Sequence, residues 1–304
     1  MKVLKFAAID IGSNAIRLLL VNVLEGVNCP VFKKSSLIRV PLRLGDDAFL
    51  TGKISQKKVE KLIKILLAFK NLVDINEVIS YRACATSAIR DAANNSDVVR
   101  AIGAETGIGV EIIDGKREAE IICSNQLIDR LDSDSHYLYV DVGGGSTELI
   151  LFKKNKLKKS ISFDIGTVRM LNNLIKSEDF NKVKDWLKAL KISRKNISII
   201  GTGENINKIL KISGKRDKEI LTRNELAEID KFMNYYSVEE RVKVLRLNPD
   251  NADVIIHASD LFLKIMRWVG TKQMIIPTIG IADGIIHELY LEYVIQRKDL
   301  MLPG

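Results

Sequence analysis

Cysteine and histidine are scarce in this chain, with three of each among 304 residues. Cys29, Cys84 and Cys123 are odd in number and far apart, which argues against a disulfide framework and a paired-cysteine metal site and for a reducing, cytoplasmic setting. His136, His257 and His287 are equally scattered, which argues against a histidine-rich metal centre and a Ser-His-Asp hydrolase. No apolar run reaches the length of a bilayer span, so no membrane partner is expected. The N-terminal apolar stretch carries Lys2 and Lys5 but is cut short by Asp10, and it reads as a first strand rather than a signal peptide. A low-complexity linker is also missing, so the parts of the chain are expected to be tightly coupled through a hinge near residue 120.

What is present is ordinary for a soluble globular protein: 46% hydrophobic and 28% charged residues. The length favours two domains. A net charge of +9 favours a polyanionic partner through long-range attraction, although the same charge also describes a plain solvated lysine-rich surface.

Two segments echo each other. Asp10-Ile-Gly-Ser-Asn-Ala-Ile-Arg17-Leu aligns without gaps on Asp141-Val-Gly-Gly-Gly-Ser-Thr-Glu148-Leu. Each reads as strand, tight turn, strand. Around each copy the pattern runs three strands, helix, strand, helix, strand, helix. Helical spacing of Val59, Leu62, Ile63, Leu66, Phe69 and Val73 predicts a helix over 55–72, and further helices are expected over 86–94, 117–127, 252–269 and 282–294. Thr222 with Glu225 and Ser237 with Glu240 are capping-box signatures. The alternation predicts an α/β chain of two domains, 1–120 and 121–304, each a mixed β-sheet flanked by helices.

The second copy carries the clearest chemistry. Consecutive glycines between apolar strands cost conformational entropy, and they make sense where backbone must approach a ligand closely. Free N–H groups in such a turn form an anion nest, and Ser146 and Thr147 add hydroxyl donors. Asp141 and Glu148 offer two hard oxygen ligands, the number with which Mg²⁺ is commonly held beside substrate phosphates. In the first copy Asp10 repeats the carboxylate, Ser13 and Asn14 replace glycines as donors, and Arg17 stands in the place of Glu148. Thr86-Ser-Ala-Ile-Arg90 follows a strand directly, so a hydroxyl-rich helix start sits at a sheet edge. Arg90 reads equally as a phosphate contact and as an exposed arginine. Glu118 opens a helix, where a first-turn glutamate complementing the helix dipole is the plainer reading of the residue alone.

At these residues the chain resembles the exopolyphosphatase and guanosine pentaphosphate phosphatase (Ppx/GppA) family in its short, two-domain form. This family is a branch of the superfamily of actin, sugar kinases and the heat-shock chaperone ATPase. The resemblance rests on Asp10-Ile-Gly-Ser-Asn, Arg43-Leu-Gly45, Ala85-Thr-Ser-Ala-Ile-Arg90, Glu118-Ala119 and, above all, Asp141-Val-Gly-Gly-Gly-Ser-Thr-Glu148. It implies two actin-like (ribonuclease H-like) domains with an interdomain cleft. It implies Glu118 as catalytic base. Ser13, Asn14, Arg90, Gly144, Gly145, Ser146 and Thr147 match phosphate-binding positions, and Asp141 and Glu148, with Asp10, match ligands of Mg²⁺ or another divalent cation. The chain departs from the family pattern at Gly201-Thr-Gly-Glu204-Asn205 and at Gly280-Ile-Ala282-Asp283-Gly284, where an arginine is replaced by Ala282. Ending at Gly304, it is expected to lack the helical C-terminal domains and long-chain processivity of longer relatives.

The expected activity is metal-dependent release of terminal orthophosphate from inorganic polyphosphate, with guanosine penta- or tetraphosphate as the alternative substrate and a non-hydrolysing nucleotide or polyphosphate module as the rival. No nucleic acid partner is expected. The closing helix is a candidate for either core or a homodimer surface. Lys153, Lys154, Lys156, Lys158 and Lys159 crowd one hairpin, with Arg169 following; they read as a solvated turn or as a track for a phosphate polymer.

Overall fold

The computed structural model describes residues 2–26, 29–124, 135–153, 156–191 and 197–299. The chain forms two compact units, Met1–Asn125 with Gly280–Gly304, and Gln126–Ile279. The closing segment, expected with the second domain, therefore belongs with the first.

In the first unit β1 (Lys2–Ile11), β2 (Ala15–Glu25) and β3 (Val31–Pro41) form an antiparallel meander. The helices α1 (Leu44–Thr51) and α2 (Gln56–Ile75) lead to β4 (Ser80–Ala85), α3 (Ser87–Arg90), α4 (Asn95–Thr106), β5 (Val110–Ile112) and α5 (Gly115–Cys123). The sheet order is β3-β2-β1-β4-β5, with β4 parallel to both β1 and β5. Side chains alternate across β1. Ala7, Ile9 and Ile11 enter one core with the apolar stripe of α2, whereas Leu4, Phe6 and Ala8 enter another. That second core is closed by Ile281, Ala282, Ile285, Ile286 and Leu289 of α13 (Ile281–Asp299). Burial on both faces is why β1 reads as one continuous apolar run, and it is why the last helix belongs to this unit. One face of α13 is thus core.

The second unit repeats the plan. β6 (His136–Val142), β7 (Thr147–Lys153) and β8 (Lys156–Phe163) form the meander, followed by α6 (Thr167–Leu171), α7 (Ser177–Ala189), β9 (Ile197–Thr202), α8 (Glu204–Ile212) and β10 (Ile220–Thr222). Then come α9 (Arg223–Tyr235), α10 (Val238–Lys243), α11 (Pro249–Ala252), α12 (Ile255–Val269) and β11 (Gln273–Ile275). The order β10-β11-β9-β6-β7-β8 matches the first sheet with one antiparallel strand added at the edge. Two mixed sheets with three antiparallel strands followed by parallel ones are the actin-like, ribonuclease H-like arrangement. Both capping boxes form, at Thr222/Glu225 and Ser237/Glu240.

Two local expectations change. The helix over 86–94 is only the single turn α3. The Asn94 side chain bonds both the N–H and the carbonyl of Ile54, and the Ala93 N–H bonds Gly52, so the chain is tied to the α1–α2 link rather than continuing as helix. The helix expected over 117–127 starts at Gly115, because the Asp114 carboxylate accepts the Arg117 N–H at 2.7 Å as an N-cap; its expected end falls outside the described residues. Among the described residues no helix is long and apolar enough to cross a membrane. All three cysteines are free.

Candidate active site

In the first unit the β1–β2 turn closes with a bond from the Gly12 N–H to the Ala15 carbonyl. The segment that begins α1 grips it from behind. The Ser13 carbonyl accepts from the Gly45 N–H at 2.8 Å, and the Asn14 carbonyl accepts from the N–H groups of Leu42 and Arg43 at 3.2 and 2.9 Å. A side chain at Gly45 would press on Phe49 and Ser13, which explains why Arg43-Leu-Gly45 accompanies this turn. In a trans peptide the C=O and the following N–H point in opposite directions. Carbonyls tied back to 42–45 therefore turn the N–H groups of Asn14 and Ala15 away from that segment.

The turn is also joined to the start of α3. The Ser13 and Ser87 hydroxyls lie 2.9 Å apart, both buried, and the Thr86 N–H bonds the Ile11 carbonyl. The structure thus brings Ser13 and the 86–90 segment together. Arg90 does not project freely: its Nε donates to Asp91 at 3.0 Å and its Nη1 to the Ile113 carbonyl at 3.3 Å, one residue before the cap of α5. Glu118, in the first turn of that helix, is 9% exposed, so its carboxylate is largely withdrawn from water.

The second turn is tied back more completely. The Gly143 N–H bonds Ser146, closing the hairpin. The Gly143 carbonyl accepts from Thr167 at 3.0 Å, the Gly144 carbonyl from Val168 at 2.8 Å, and the Gly145 carbonyl from Arg169 Nε at 2.8 Å. By the same planarity the N–H groups of Gly144, Gly145 and Ser146 point away from α6, as an anion nest requires. Gly166 makes this contact feasible, since a Cβ there would lie 2.3 Å from the Gly144 oxygen. Gly166 was not singled out by the sequence, and Arg169 was read only with the lysine stripe; both back the turn through long-range packing contacts that local motifs do not reveal. The Thr147 hydroxyl donates to the Ile165 carbonyl inside the fold, so its side chain holds the turn.

The two hairpins have identical register. Asp10 pairs Arg17 across β1–β2, and Asp141 pairs Glu148 across β6–β7. Arg17 Nη1 bonds Asp10 Oδ2 at 2.8 Å, so a cation would compete with a guanidinium for Asp10. Asp141 and Glu148 set two carboxylates directly opposite, a placement that repels unless a cation lies near. One Glu148 oxygen accepts from Ser162 at 2.9 Å. A Cβ on Gly203 would lie 3.2 Å from Asp141 Oδ1, and the residue holds φ +112, so glycine permits the close approach of the β9–α8 turn to this carboxylate. Hard, paired oxygen donors fit a divalent cation completed by substrate oxygens. Among the described residues no cluster of three or more His, Cys, Asp or Glu forms a cage.

The departures from the family pattern have internal roles. Glu204 accepts from Asn251 Nδ2 at 2.8 Å and faces Lys208 at 3.6 Å. Ala282 is buried in the core beneath α13. The lysine track is not supported by the register. Lys153, Lys156 and Lys159 share a face with Leu149 and Leu151, opposite to that of Glu148 and Ser162, and Lys158 falls at a bulge. Lys153 and Lys156 also lie at the far end of β7, about 20 Å from the turn at ~3.3 Å per residue, and Lys159 about 13 Å from it. Lys154 lies outside the described residues.

Comparison with known proteins identifies the family. Residues 32–293 match the Ppx/GppA phosphatase family. The bifunctional 3-dehydroquinate synthase/phosphatase of Fusobacterium nucleatum is 29% identical over 294 residues, covering 89% of this chain and 44% of that protein, so the chain spans less than half of this relative. Exopolyphosphatase 2 of Mycobacterium tuberculosis is 25% identical over 319 residues, covering 94% of this chain and 98% of its own length. The crystal structure of the Aquifex aeolicus Ppx/GppA family member superposes with a TM-score of 0.79 at 25% identity, covering 96% of this chain and 99% of that one.

Proposed function

The chain belongs to the Ppx/GppA phosphatase family, and from that premise we propose that it is a phosphoanhydride hydrolase releasing terminal orthophosphate from inorganic polyphosphate. The observation that carries this reading is the glycine turn whose Gly143, Gly144 and Gly145 carbonyls are committed to α6, which turns the N–H groups of Gly144, Gly145 and Ser146 toward an anion next to an Asp–Glu pair.

The N–H groups of Gly144, Gly145 and Ser146 donate to phosphate oxygens, and Ser13 and Asn14 are the corresponding phosphate donors of the first turn. Thr147 supports the turn, and Arg90 adds positive charge. Glu118 orients a water molecule and takes its proton as the water oxygen attacks phosphorus and the bond to the bridging oxygen breaks. A divalent cation such as Mg²⁺, held by Asp141 and Glu148 and with Asp10 already paired to Arg17, supplies charge neutralisation at the substrate oxygens when bound. Phosphoryl transfer depends chiefly on positioning and electrostatics, which rigid turns provide. The scarce, free cysteines and the net charge of +9 support a cytoplasmic enzyme with a polyanionic substrate.

The test is phosphate release with and without Mg²⁺ from short polyphosphate, long polyphosphate and guanosine pentaphosphate. Metal-dependent release from polyphosphate is expected, and Glu118→Gln should lower turnover by about 10²–10⁴-fold while binding survives. Release from the nucleotide alone would move the substrate to guanosine pentaphosphate. Binding without turnover would make the chain a sensor, and full turnover by Glu118→Gln would remove that residue from the chemistry.

A further inference from the structure

The helix that carries Glu118 is held by the far end of the chain. Arg117, its neighbour on α5, forks onto Glu288 of α13, with Nη1 to Oε1 at 2.9 Å and Nη2 to Oε2 at 2.6 Å. Glu288 also accepts from Arg82 Nη1 on β4 at 2.7 Å, and Arg82 Nη2 donates to Glu292 at 2.6 Å. One turn earlier on α13, a Cβ at Gly284 would lie 2.0 Å from the Ile121 carbonyl oxygen, so the two helices touch backbone to backbone. Ser124 Oγ donates to the Gly284 carbonyl at 3.0 Å. Thus α5 is fastened to α13 on both sides of Glu118, at 117 and at 121–124. The Arg117–Glu288 side chains are largely shielded, at 32% and 16% exposure, where a two-bond fork holds its geometry better than a surface pair does.

We propose that the Arg117–Glu288 fork is a positioning device for Glu118. It rests on the reading of Glu118 as the base. An arginine next in sequence to a reacting carboxylate sets the rotation and rise of the first helical turn, and an error of about 1 Å in such a group costs on the order of 10²-fold in rate. The two members lie 171 residues apart in the chain, so α13 takes part in the reaction without touching substrate. Glu288 keeps its Arg82 contact when Arg117 is changed, which limits the effect of an Arg117 variant to α5.

The experiment is a double-mutant cycle on the full chain, with kcat and KM measured for phosphate release from polyphosphate and melting temperature recorded alongside. Arg117→Lys keeps the charge but loses the fork; Glu288→Gln keeps the shape but loses the charge. Each is expected to lower kcat about 10-fold or more with KM within about 2-fold. Combined with Glu118→Gln, neither should lower kcat further, because a device acting only through Glu118 has nothing left to act on. Losses that multiply in the double variants would overturn the proposal, as would single variants that melt lower yet keep wild-type kcat. If Glu118→Gln itself keeps full turnover, the fault lies with the base assignment, which that arm of the cycle reports separately.

Discussion

Arg17 occupies across its hairpin from Asp10 the register position that Glu148 occupies across from Asp141. One copy of the duplicated turn carries its own cation, 2.8 Å from the carboxylate. The other sets two carboxylates opposite each other, which we propose hold a divalent cation.

This difference predicts opposite responses to metal. Mg²⁺ should raise the melting temperature of the wild-type chain, since a ligand bound only by the folded state stabilises it by mass action. Glu148→Arg would rebuild with Asp141 the pair that the first hairpin has, and its melting temperature should no longer respond to Mg²⁺. A full metal response in that variant would show that Asp141 and Glu148 are not the ligands. Arg17→Met should destabilise by about 1–3 kcal/mol in urea unfolding, because it strands a buried carboxylate, less than the full cost of a sealed pair since Arg17 is partly exposed.

Glycines at close contacts should separate from glycines in open positions. Gly166→Ala places a methyl against the backbone of the 144–145 turn and should lower both stability and phosphate binding, read by unfolding and calorimetry. Gly103→Ala, within α4 and facing open space, should stabilise by about 0.5–1 kcal/mol. Equal effects would deny any special role to Gly166.

Replacing Lys153, Lys156 and Lys159 with glutamine should leave the Michaelis constant for long polyphosphate unchanged, because the register turns them from the face of Glu148. A KM rising several-fold for long chains but not for short ones would restore the polymer track.

Acid stability should carry a signature of His257. Its half-buried site holds its pKa below 6.5, with Arg241 and Lys264 adding to the effect of burial and Asp260 and Asp253 opposing it. The folded state then binds fewer protons than the unfolded state, so stability falls as pH drops through 6.5 and continues to fall until the folded-state value is passed. His257→Gln should narrow the gap between melting temperatures measured at about pH 7.5 and about pH 5.5. An unchanged gap would locate the acid sensitivity elsewhere.

Much of the second unit's candidate site, as a hairpin, was readable from residue order, because Asp141 to Glu148 lie on one strand–turn–strand span. The side-chain bonds of Thr147 and Arg90 were not, since each goes to a carbonyl distant in sequence, at Ile165 and Ile113. Helix α3 stops after one turn for a similar reason: the tie of Asn94 to Ile54 overrides local helical preference. The lysine stripe looked continuous in sequence, but the pleat of β7 and β8 and a bulge distribute it away from the face of Glu148.

By itself the amino-acid order determined that this chain is a duplicated α/β protein with two hairpin turns suited to phosphate, because strand alternation, glycine turns and capping boxes are written over short spans. Only the tertiary structure decided that α13 packs beneath β1, that Gly166 backs the glycine turn, and that Arg117 meets Glu288. These are contacts between residues far apart in the chain, selected by which apolar faces remain to be covered once the local elements have formed.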